Sequence, residues 1–129
     1  CFNGWTKYQA KCYYIINYLA NWDTCNNYCS TWSNGASMLC IENANENSYI
    51  LSRIYGNTQI GYKSVGSPGS FYWVPGCSST YTNWNSGEPN NYDGIEFWAQ
   101  LLTSGYWNDD ANRDTYYCAC EMPSFTAAP

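Results

Sequence analysis

The sequence predicts one mixed α+β domain. Two stretches carry apolar residues at helical spacing, several short runs are rich in β-branched and aromatic residues, and one long segment has no periodicity. At 129 residues, the chain suffices for one core. No internal repeat or second composition block divides it, so one domain is expected over residues 1–129. The tail from about residue 122, ending in PSFTAAP, is expected to be loose.

The elements follow in order. CYYIINY (12–18) reads as a strand. Residues 21–32 place Trp22, Cys25, Cys29 and Trp32 near helical spacing, before a turn at Ser33, Asn34 and Gly35. MLCI (38–41) is a short apolar strand. Residues 45–56 predict a second helix, with Asn45 as cap, Ile50, Leu51 and Ile54 on one face, and Gly56 as stop. Residues 58–63 and 71–74 predict strands. From Pro75 to Ile95 the chain turns to Gly, Ser, Asn, Thr and Pro, while Tyr81, Trp84 and Tyr92 argue that this loop is ordered. Residues 96–102 predict a strand, TSG a turn and YW another strand start. Residues 108–114 read as loop and 115–121 as the last strand.

Composition excludes several functions. The net charge is −5, with five Lys plus Arg, so neither nucleic acid nor an anionic membrane surface is an expected partner. There is no histidine, which removes the commonest general base and zinc ligand. No apolar run is long enough for membrane insertion. Eight cysteines in so short a chain predict a disulfide framework made in an oxidising compartment. The chain starts at Cys1 without a leader sequence, as expected of a mature secreted protein.

One cluster of side chains carries chemistry. Glu88, Asn90, Glu96, Asn108 and Asp109 lie in or beside predicted loops. Carboxylate and amide oxygens on irregular backbone suit Ca²⁺, which takes six to eight oxygens in flexible geometry. Each side chain also has a spare oxygen or N–H for a hydroxyl, so the same residues can hold a metal and a diol.

With these residues the sequence resembles the C-type lectin domains, over nearly its whole length. EPN (88–90) and WND (107–109) match that family's two calcium motifs, with Glu96 between them. The Trp22-to-Cys29 pattern, GASMLCI, QIGY and YYCACE match its first helix and its strands. The resemblance implies that Glu88, Asn90, Glu96, Asn108 and Asp109 ligate one Ca²⁺ and two vicinal sugar hydroxyls. It also implies a cis bond before Pro89. Glycans and glycoconjugates are then the expected partners, mannose-type by the EPN motif. Tyr92 stands where galactose-type members place a stacking Trp, so EPN alone leaves galactose open. Because single sites bind monosaccharides weakly, a homo-oligomer, first of all a dimer, is expected.

The departures from the family pattern matter too. Ser64, Asn91 and Phe97 stand where many members have acidic ligands for an auxiliary calcium, so that second ion is not expected. Trp98 and Asn112 replace an inner disulfide, so the long loop must be held otherwise. The resemblance also implies Cys1–Cys12 and Cys29–Cys120 bridges. Cys25, Cys40, Cys77 and Cys118 then allow three pairings. One turn of helix separates Cys25 from Cys29, and Cys118 and Cys120 share a strand face. That favours a second rung, Cys25 with Cys118, and leaves Cys40 with Cys77 or Cys77 in an interchain bond.

Rival readings are weaker. A glycosidase needs one carboxylic acid kept protonated and a second group across the bond, whereas these clustered acids suit a cation. Catalysis is not expected. The same fold used for protein binding, ice binding or structure is the stronger rival. Trp84, Trp98 and Trp107 read as core or loop anchors.

Overall fold

The computed structural model describes residues 1–32, 35–64 and 70–124. Among these residues, eight strands and two α-helices make an α+β fold around one mixed sheet. The strands are β1 (Thr6–Tyr8), β2 (Lys11–Ala20), β3 (Ser37–Met38), β4 (Thr58–Ser64), β5 (Phe71–Trp73), β6 (Trp98–Leu101), β7 (Trp107–Asp110) and β8 (Tyr116–Pro123). The helices are α1 (Trp22–Ser30) and α2 (Ala44–Leu51). The main path is β1-β2-β8-β4-β6-β7, with β3 added to β8 and β5 to β4. All pairs are antiparallel except β4 with β8, which meet in parallel at Thr58 and Tyr117.

Local chemistry sets the helix ends. Asn21 caps α1 by accepting from the Thr24 N–H at 2.8 Å. The face carrying Trp22, Cys25 and Cys29 is buried, and two disulfides, Cys25–Cys118 and Cys29–Cys120, tie it to β8. Trp32 lies past the helix end but packs edge-on to Trp5 at 5.4 Å. Helix α2 departs from expectation at both ends. Its cap is Asn43, not Asn45, because the Asn43 side chain accepts from the Glu46 N–H at 2.8 Å. It stops at Leu51, where Ser52 folds its hydroxyl onto the Tyr49 carbonyl, well before Gly56.

Three further expectations are corrected. Residues 108–110 are not loop, because they pair with β6 through Asn108–Gln100, Asp109–Ala99 and Asp110–Trp98. The tail does not loosen at residue 122: Met122 is buried, Pro123 ends β8, and Ser124 donates to the Ala10 carbonyl at 2.8 Å. Of the expected 38–41 strand, only Met38 is in strand pairing. The expected turn residues Ser33 and Asn34, and tail residues 125–129, lie outside the described residues. Strand β1 pairs with β2 as the hairpin that the expected Cys1–Cys12 bridge implies, and that bridge is present. The last pair is Cys40–Cys77, within the chain, so no cysteine is left for an interchain bond.

Two buried clusters meet across the sheet. One gathers Trp5, Trp22, Met38, Val74 and the α1 disulfides; the other gathers Tyr13, Ile50, Ile60, Leu101 and Trp107. Gly61 lets β4 pass between them. A Cβ there would lie 2.7 Å from the Leu39 carbonyl, which the Gly61 N–H uses as acceptor.

Candidate functional site

The long loop is pinned to β7 before it reaches the cluster of oxygens. Trp84 and Trp107 form a parallel bridge, with Trp107 N–H donating to the Asn83 carbonyl and Asn85 N–H to the Trp107 carbonyl. The Trp107 ring is fully buried among Tyr62, Trp73, Tyr81 and Trp84, and its indole N–H donates to Asn47 Oδ1 at 2.8 Å. Asn47 and Asn83 both donate to the Gly105 carbonyl. Aromatic packing and amide bonds thus hold the loop where the inner disulfide is missing. Asn112 has a related role: it joins the segment after β7 to Asp23 of α1.

From that anchor the chain passes the cis Glu88–Pro89 bond and folds back over β7. The Asn90 N–H donates to Glu88 Oε1 at 3.1 Å and to Asp109 Oδ1 at 3.2 Å. The Asn91 N–H donates to Asp109 Oδ2 at 2.8 Å. Asn91 adopts a left-handed conformation (φ 46°) and accepts from the Glu96 N–H with its side chain. The Tyr92 N–H bridges Asn90 Oδ1 and Glu96 Oε1, at 3.2 and 3.0 Å. Glu88, Asn90, Glu96 and Asp109 are therefore joined in one network. Asn108 is the next residue along β7, with its side chain half-buried.

The acids crowd one another. Burial and the neighbouring Asp109 carboxylate push Glu88 up to about 7. Burial, aided by Asp109 and Asp110, also raises Glu96. Burial opposes the charge on Asp110 as well, but hydrogen bonds with Asp114, Tyr116 and the Ala111 N–H outweigh it and lower its pKa. Asp110 and Tyr116, which had not been singled out as members of this site, brace its edge: the Tyr116 hydroxyl donates to Asp110. Only the β7-to-β8 turn, invisible as spacing, brings them together.

The donor chemistry fits a hard dication. Every candidate ligand offers oxygen, and the carboxylates destabilise each other without a cation. Among the described residues, no three acidic side chains converge on one point by themselves. Asn90 and Asn108 add amide oxygens to those of the carboxylates. Tyr92, on the short turn Tyr92–Gly94, is 68% exposed beside this set rather than packed into the loop. At the auxiliary positions, Ser64 is buried with its N–H on the Phe97 carbonyl, and the Asn91 side chain holds the Glu96 backbone. Trp98 is half-buried against the core, as an anchor should be.

Comparison with known proteins gives the family. Residues 18–122 match the family described as Lectin C-type domain. C-type lectin domain family 4 member G of Mus musculus is 33% identical over 125 residues, covering 92% of this chain and 42% of that protein. Lectin BRA-3 of Megabalanus rosa is 27% identical over 128 residues, covering 97% of this chain and 79% of that protein. This chain thus spans less than half the length of some relatives it matches. Among solved structures, the C-type lectin CEL-I from Cucumaria echinata superposes with a TM-score of 0.89 at 24% identity, over 95% of this chain and 96% of that one. A calcium-independent type II antifreeze protein superposes with a TM-score of 0.89 at 22% identity, over 97% and 95%. The family match covers most of the sequence and agrees with the fold: the chain belongs to the C-type lectin domain family.

Proposed function

We propose that this domain binds carbohydrate through one Ca²⁺ held by Glu88, Asn90, Glu96, Asn108 and Asp109, and that it works as a secreted lectin without catalytic activity. The observation that carries the reading is the coupling of the two motifs. Asp109 of β7 accepts from the Asn90 and Asn91 backbone, so the EPN loop and the WND strand form one oxygen-rich unit. Bound Ca²⁺ supplies the positive charge and the open positions for two sugar hydroxyls. The chain's own part is to orient them. Glu88 and Glu96 accept hydroxyl hydrogens with their remaining oxygens, and the Asn90 and Asn108 amide nitrogens donate.

The EPN order favours sugars with two equatorial hydroxyls, mannose, GlcNAc and fucose among them. The exposed Tyr92 ring supports a second reading: stacking on the apolar face of galactose or GalNAc at the same ion. The antifreeze neighbour shows that this fold also exists in a calcium-independent protein, so calcium dependence is the deciding measurement. Titrating mannose and galactose in calcium and then in EDTA tests the reading. Binding is expected in calcium and lost in EDTA; equal affinity in both would overturn it.

A further inference from the structure

We propose that Asn91 is a positioning residue of the candidate calcium site: it holds Glu96 and Asp109 in place without being a ligand itself. The observation is its set of partners. The Asn91 N–H donates to Asp109 Oδ2 at 2.8 Å, its side-chain Oδ1 accepts from the Glu96 N–H at 3.0 Å, and its carbonyl accepts from the Gly94 N–H at 2.9 Å. One residue thus ties together strand β7, the Tyr92–Gly94 turn and the backbone of Glu96. The proposal rests on the calcium reading above and names a residue which that reading does not use.

The backbone explains how Asn91 reaches all three. Its dihedral angles are φ 46° and ψ 48°, in the left-handed region. Around it, three successive N–H groups point at acids: Asn90 at Glu88 and Asp109, Asn91 at Asp109, and Tyr92 at Glu96. Successive N–H groups in such a turn form a concavity that suits anions. The chain's own amides therefore orient these carboxylates.

Residue type matters at this position. Left-handed backbone favours Gly, Asn and Asp. Glycine would supply the conformation but no acceptor for the Glu96 N–H. Aspartate would supply both, yet would add a negative charge to a network that already holds Glu88, Glu96 and Asp109. Asparagine gives the conformation and a neutral acceptor together. A site whose groups are held in advance loses less freedom on binding, so the bond from Asn91 to Glu96 raises affinity for the ion.

The test compares variants in EDTA and in calcium. In EDTA, Asn91→Gly should speed hydrogen exchange of the Glu96 amide, followed by NMR, about 3–10-fold more than that of the Gly61 amide. Gly61 is buried and donates to the Leu39 carbonyl in the core, so a general loss of stability would speed both amides alike. Asn91→Asp keeps the acceptor and should hold the Glu96 rate within about threefold of the parent chain. In calcium without sugar, isothermal titration should show affinity lowered about 3–10-fold by Asn91→Gly, and further by Asn91→Ala, which also strains the left-handed backbone. An unchanged Glu96 rate in Asn91→Gly, equal acceleration of Glu96 and Gly61, loss of Glu96 protection in Asn91→Asp, or parent-like calcium affinity in Asn91→Gly would each overturn the proposal. A parent chain that binds no calcium would overturn the calcium reading instead, and the exchange rates in EDTA still decide whether Asn91 holds Glu96.

Discussion

Two clusters of three carboxylates lie in this domain, and they differ in one respect. In the first, Glu42, Glu46 and Glu121 surround Lys11, whose ammonium lies 3.0, 2.9 and 2.9 Å from them. In the second, Glu88, Glu96 and Asp109 are linked through backbone N–H groups without converging on one point; among the described residues, no Lys or Arg forms an ion pair with them. The first cluster carries its own counter-charge, so it fastens β2, α2 and β8 together. The second is held by backbone N–H groups, which orient the carboxylates without neutralising them. An acidic cluster completed internally serves structure, whereas one without an internal counter-charge suits the proposed calcium site.

The contrast can be broken from either side. The largest expected effect is on stability, from Lys11→Met. It leaves the buried carboxylates of Glu46 and Glu121 without their cation, along with the exposed Glu42, and should cost about 3–5 kcal/mol. Urea unfolding checks this, and calcium affinity of the folded fraction should hold. Next, Glu88→Ala or Glu96→Ala should weaken calcium-dependent sugar binding by about 100-fold or more while leaving the urea midpoint in EDTA close to that of the parent chain. Isothermal titration separates the two effects.

The pH dependence sharpens the comparison further. Burial raises Glu121 from 4.5 to about 7, although the Lys11 charge works against the rise. Its folded form therefore holds a proton that the unfolded chain releases between about pH 4.5 and 7. Ionised Glu121 costs stability above pH 7, and that cost is relieved as pH falls toward 5. In EDTA the melting temperature should accordingly rise from pH 8 to pH 5.5, with Glu121 contributing roughly 2 kcal/mol and Glu88 acting in the same direction. Glu121→Gln should reduce the trend, leaving the part due to Glu88. Calcium binding should move the opposite way and weaken on acidification, because protons compete for Glu88, Glu96 and Asp109.

The smallest effects concern specificity. Glu88→Gln with Asn90→Asp should shift preference from mannose toward galactose, and an identical glycan profile would remove that motif as the selector. Tyr92→Ala should lower galactose affinity by about 2–10-fold, with mannose affinity unchanged. Equal losses for both sugars would make Tyr92 a loop residue and nothing more.

Much of this was legible beforehand because it rests on short-range chemistry. The Trp22-to-Cys29 spacing marks a helix, since one turn returns the chain to the same face. EPN, Glu96 and WND stand out as the candidate oxygen donors because their side chains carry that chemistry wherever they fold. What escaped depended on partners distant in sequence. Residues 108–110 read as polar loop, yet β6 turns them into a strand by supplying hydrogen-bond partners. Asn43 displaced Asn45 as cap because chain entry, not residue type, selects the capping position. Lys11 carried no visible signal at all, since its three carboxylates lie 31, 35 and 110 residues away.

The sequence by itself determined the α+β class and the family, and it singled out the oxygen-bearing side chains proposed as donors, because these follow from residue type and local spacing. Only the tertiary structure decided that the EPN loop closes over Asp109, that Trp107 and its asparagines stand in for a disulfide, and that Lys11 neutralises one acidic cluster but not the other. The physical reason is range. Propensity and side-chain chemistry act over a few residues, whereas hydrogen bonds and charges are settled by whichever groups the folded chain brings within about 3 Å.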